Sequence, residues 1–197
     1  DDADPTIDNV TFRHNYARSG AGIANLNGSY PSIVGCEFLE NSALSNGGGI
    51  YTFGSNADPV VVRDCTFTGN RVQGTYGGGG SNGRNSTVHL VNCTFEYNHG
   101  GSYGGGVHMG DGITANCVFL GNTSNTRGGV LYVGNDDAKI YNSVFAGNTS
   151  GRGGALALWR SGTSVKVANN TIVNNTGTLL GGAIYFDSSS AFLDNLI

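Results

Sequence analysis

Apolar and polar residues alternate along this chain in short segments, and the segments themselves recur. In Asn92-Cys93-Thr94-Phe95-Glu96-Tyr97-Asn98, Cys93 and Phe95 point one way and Thr94 and Glu96 the other. That period of two is the pattern of a half-buried strand. The same frame returns as Cys36-Glu37-Phe38, Asp64-Cys65-Thr66-Phe67, Asn116-Cys117-Val118-Phe119 and Asn142-Ser143-Val144-Phe145. The anchors Phe12, Phe38, Phe67, Phe95, Phe119, Phe145, Ile172 and Ile197 are separated by 26, 29, 28, 24, 26, 27 and 25 residues. A period of that size is the signature of stacked repeats.

Alignment on the anchor exposes further columns. Five residues before it stand Ile7, Ile33, Val62, Leu90, Thr114, Ile140, Val167 and Phe192. Three after it stand Asn15, Asn41, Asn70, Asn98, Asn122, Asn148 and Asn175, without exception. Further on comes a glycine run closed by an apolar residue, as in Gly47-Gly48-Gly49-Ile50 and Gly104-Gly105-Gly106-Val107. Asn and Gly separate the apolar segments, and both tolerate the left-handed backbone of a sharp bend. The prediction is an all-β, right-handed parallel β-helix of about seven to eight coils, three short strands per coil, each strand paired with its counterpart ~4.8 Å along the axis. It treats residues 1–197 as one β-helical domain within a longer protein. The asparagines form a predicted ladder, each amide bonding the next along the stack. Bend lengths vary most at residues 54–59, 71–76 and 159–164. Gly80-Ser81-Asn82-Gly83 lacks the usual apolar residue, so a bulge or distorted strand is expected there.

Composition narrows the partners. Only 12% of residues are charged and the net charge is −4, with no Lys/Arg cluster, which argues against nucleic acid. No apolar run is long enough to span a bilayer as a helix. Cys36, Cys65, Cys93 and Cys117 share one column with Val10, Ser143, Asn170 and Asn195. A column that accepts such residues is a packing column, and reduced, stacked thiols are the expectation. Adjacent coils also bring these sulfurs within reach of a bridge, so both states stay open.

Phe-x-x-Asn at residues 12–15, 38–41, 67–70, 95–98, 119–122 and 145–148, alternating with Gly-Gly-Ala-Ile (literal at 181–184), resembles the repeats of the chlamydial polymorphic outer-membrane proteins. The likeness covers essentially the whole chain. It implies a β-helical passenger of a surface autotransporter, extracellular or cell-surface, several of the family being adhesins. The fold carries over better than the function.

The rival reading is a lyase or hydrolase acting on acidic polysaccharide, which needs clustered carboxylates beside a cation. The only adjacent pair in the body, Asp136-Asp137 near Lys139, lies in a turn sequence. His14, His89, His99 and His108 do not converge, and the sequence points to no catalytic residue, metal or cofactor. The sequons at Asn27 and Asn85 fall in exposed bends, whereas those at Asn92, Asn122 and Asn148 coincide with structural positions. One surface row stands out. The residue after each glycine-segment apolar position points outward: Ala24, Tyr51, Ser81, His108, Tyr132, Ala157 and Tyr185. Stacking would align Tyr51, His108, Tyr132 and Tyr185, with Trp159 and Arg160 at the edge, as a face for glycan or a partner protein. Open solenoid ends also suggest end-to-end association of chains into filaments.

Overall fold

The computed structural model describes residues 4–54, 58–74, 77–83, 86–134, 137–159 and 165–197. Every strand pairing is parallel, and strands of successive coils stack into one sheet of eight strands and three of seven. One coil runs through Val88–Val91, Thr94–Glu96, His99–Gly100 and Val107–Met109. These belong to the first, second, third and fourth sheets respectively. The unit therefore has four strands where the apolar pattern predicts three. The additional strand follows the invariant Asn and is as short as two residues. Its inward positions are Ala17, Ala43 and Val72 in the first coils, a small apolar cluster of their own, but Gly100, Ser124 and Ser150 further on, so the hydrophobic signal does not run the length of this sheet.

Left-handed corners set the turns. Asn92, Tyr97 and Gly104 have φ of 54°, 53° and 58°, and equivalent residues of other coils repeat them. At the third corner a Cβ on Gly104 would lie 2.1 Å from the Val107 carbonyl oxygen, so only glycine fits.

Inside, the Phe12, Phe38, Phe67, Phe95, Phe119 and Phe145 rings form one file, centroids 4.4–5.0 Å apart and planes within 15°. Ile172 continues it in register with Phe145. The last coil is displaced by one residue from the predicted alignment. Leu193, not Phe192, lies opposite Val167, and Leu196 packs against the core while Ile197 is 80% exposed. Asn195 occupies the left-handed corner expected of Asp194. With a period of two, one residue of slip exchanges the faces.

The asparagine column is bonded throughout. The backbone N–H and Nδ2 of Asn98 both donate to Asn122 Oδ1 at 3.0 Å, and Asn122 donates likewise to Asn148. The same pair of bonds links Asn15 to Asn41, Asn41 to Asn70, Asn70 to Asn98 and Asn148 to Asn175. Each second amide hydrogen reaches an anchor carbonyl, as Asn98 Nδ2 to Phe67 O at 2.8 Å. The four cysteines are free and buried. Their column tolerates Ser and Asn because each member offers an acceptor to the next backbone N–H: Cys36 N–H to Cys65 Sγ, Cys117 N–H to Ser143 Oγ, Ser143 N–H to Asn170 Oδ1. The hydrogen bond it shares with Cys117, as the protonated partner, and burial push the Cys93 thiol up to about 12, against the opposing bond with Cys65.

No distortion marks the coil without an apolar residue. Ser81–Gly83 pairs in unbroken register with Ile50, Tyr51 and Val107–Met109. The two irregularities lie in the third sheet, between Ala17 and Ser19 and between Ser150 and Arg152.

Candidate functional site

The outward row of the fourth sheet is Ala24, Tyr51, His108, Tyr132, Ala157 and Tyr185, with Asn82 at the matching backbone position between Tyr51 and His108. Asn82 replaces the predicted Ser81, which aligns with the inward Ile50 and Val107. The four-glycine run 77–80 obscures that register, because it offers no apolar residue to align. Trp159 stands two positions along, opposite Gly134 and Asp187. Arg160 and the bends at residues 55–57, 75–76 and 160–164 lie outside the described residues, as do Asn85 and Asp136.

This row is not bare. His108 is 5% exposed and Tyr132 7%, and Ala157 is fully buried. Tyr51 and Tyr185 are half-buried. Part of the cover comes from Tyr103, just before a third-corner glycine; Arg127 and Arg152 hold the same place in the next two coils, and the three bridge in parallel from coil to coil. The Tyr103 ring sits 4.7 Å from Tyr132 and 6.3 Å from His108, and His108 meets Tyr132 edge-on at 4.9 Å. The Arg127 guanidinium lies 3.5 Å over the Trp159 ring and 5.8 Å from that of Tyr103. A cation over an indole face is the strongest geometry of its kind. These three residues are missed by alignment on Phe; alignment on Gly104, Gly128 and Gly153 would have placed them in one column.

Tyr185 closes the cluster. Its hydroxyl donates to Asp187 Oδ2 at 2.9 Å. That bond raises the phenol above its ordinary pKa, while Arg152 and Arg127 pull the other way. Both guanidinium groups therefore act on the same corner of the face.

The other sequence candidates remain scattered. His14 faces Glu40 at 3.3 Å on the surface, His89 lies on the first sheet, and His99 Nδ1 meets Thr123 Oγ1 at 2.9 Å on the third. The Asp137 amide donates to Asp111 Oδ1 at 2.8 Å, an inter-coil turn contact. Among the described residues, no three His, Cys, Asp or Glu side chains come together in a way that could hold a metal ion. No described helix is long and apolar enough to cross a membrane. The arrangement offers stacked aromatic rings and two cations in one place, which suits recognition.

Comparison with known proteins agrees with this geometry. The family described as "Right handed beta helix region" matches residues 1–124, and the Chlamydia polymorphic membrane protein repeat matches residues 116–134. The chain is 31% identical over 151 residues to the probable autotransporter YfaL of Escherichia coli K12, covering 64% of this chain and 12% of that protein. It is 35% identical over 101 residues to the probable outer membrane protein PmpG of Chlamydia muridarum, covering 44% of this chain and 10% of that protein. The chain thus spans about a tenth of the length of these curated relatives.

Proposed function

This chain belongs to the right-handed β-helix family, and from that premise we propose that it is an adhesin-like scaffold that binds glycan through the outer face of its fourth sheet. It is an extracellular or cell-surface segment, and residues 1–197 form one β-helical portion of a longer passenger. The relatives' names, an autotransporter and an outer membrane protein, support that placement. The observation that carries the binding reading is the cluster of Tyr103, Tyr132, Trp159 and Tyr185 with Arg127 and Arg152. A solenoid needs only a solvated surface at outward positions, and aromatic side chains there offer flat apolar area with polar edges.

A glycan array probed with the 197-residue chain tests this. Tyr185→Ala with Trp159→Ala should abolish the signal and leave the melting curve close to that of the parent. Undiminished binding by the double variant returns these rings to ordinary surface. Retention of a protein ligand with no saccharide bound would replace glycan by a protein partner.

A second reading concerns assembly. Open solenoid edges pair readily with further strands, so β-helices of this kind associate end to end.

A further inference from the structure

We propose that the fourth-sheet face selects glycans bearing sulfate or carboxylate groups, with Arg127 and Arg152 as the anion-binding pair. The inference rests on the reading of this face as a glycan site and adds the charge of the ligand. Four observations carry it.

The two arginines occupy consecutive coils and are bridged backbone to backbone. Strands of adjacent coils lie about 4.8 Å apart, so the two side chains leave the backbone as direct neighbours, and like charges at opposed positions are destabilising. Neither has an ion-pair partner among the described residues, where the ion pairs are His14–Glu40 and Arg63–Asp64. The nearest acidic side chain on the face, Asp187, has one oxygen committed to the Tyr185 hydroxyl at 2.9 Å.

Arg127 is also held in place. Its guanidinium rests 3.5 Å over Trp159, and Nε is buried without a hydrogen-bond partner among the described residues. Among the described residues no ion pair engages its terminal nitrogens. A planar fork fixed by stacking matches the paired oxygens of a carboxylate or sulfate, and little rotamer freedom remains to be lost on binding. The half-buried rings of Tyr103, Trp159 and Tyr185 flank the pair and supply the apolar area that a saccharide ring covers. A bare anion would have no use for them.

Dextran, dextran sulfate and polygalacturonate, titrated into the 197-residue chain, separate neutral, sulfated and uronic-acid ligands, and polyglutamate separates charge from sugar. The chain should bind one or both acidic polysaccharides and not dextran or polyglutamate, and affinity should fall as salt rises. Arg127→Gln with Arg152→Gln should weaken binding on the order of tenfold or more. Arg152→Gln alone leaves the Trp159 stack intact and should still weaken it several-fold, which guards against misfolding of the double variant. Lys139→Gln with Lys166→Gln removes the same charge from the exposed, equally stacked pair on the first sheet and should change nothing. Equal loss in the lysine variant, or equal binding of polyglutamate, reduces the effect to net charge and overturns the proposal. Binding of dextran that survives both arginine changes retires the arginine pair but leaves the face as a glycan site. Absence of binding to every saccharide retires both.

Discussion

Asn98 makes five hydrogen bonds with its amide and backbone N–H: two to Asn122 Oδ1, one to the Phe67 carbonyl, and one accepted from each of two Asn70 donors at its own Oδ1. It is fully buried, so no water can replace a missing partner. Asn98→Ala and Asn122→Ala should each cost about 1–3 kcal/mol, the usual penalty of a stranded buried polar group. For a chain of this size that lowers Tm by roughly 3–10 °C. Calorimetry showing both variants melting with the parent would sink this account of the column. The asparagines were legible as a column because no coil departs from them. The cysteine column was legible as packing, but the reason it admits Ser and Asn, a shared acceptor for the next N–H, needed coordinates.

Among elements, the two-residue strands of the third sheet depend most on their neighbours. In His99–Gly100, His99 pairs directly with Arg71, and its ring bonds Thr123. Burial first, and the Arg71 guanidinium second, hold its pKa below the ordinary 6.5. The unfolded chain therefore takes up this proton at a higher pH than the folded one. The neutral ring carries no penalty above pH 6.5, and stability is lost as pH falls from there through the depressed folded value. The Tm drop between pH 7.5 and pH 5 should be larger for the parent than for His99→Gln. Identical drops would mean that His99 contributes nothing to acid sensitivity. Strands with an alternating apolar core were readable from the chain. This fourth strand was not, since its inner face changes from Ala43 and Val72 to Gly100 and Ser124, and the later copies look the same as a loop.

At the scale of the molecule, each coil is stabilised by the two beside it. The interior anchors show this: Phe67, Phe95 and Phe119 are fully buried between their neighbours. Static light scattering of the 197-residue chain tests end-to-end association: its mass should rise with concentration, and a mass that stays monomeric at high concentration removes that reading. The same one-dimensional order explains the binding face. Residues about 25 apart in sequence are about 5 Å apart in space, so a column of side chains becomes a surface without any long-range folding event.

What the amino-acid sequence determined alone is the winding: the anchor period, the apolar alternation and the invariant Asn specify one stacking register, because a slip of one residue would turn the core outward. Only tertiary structure decided what the outward residues do. His108 and Tyr132 read as exposed from strand alternation, yet Tyr103 packs against both from a neighbouring corner. Alternation tells which side of a strand a residue takes; it carries no information about what a corner in the same coil lays over that side.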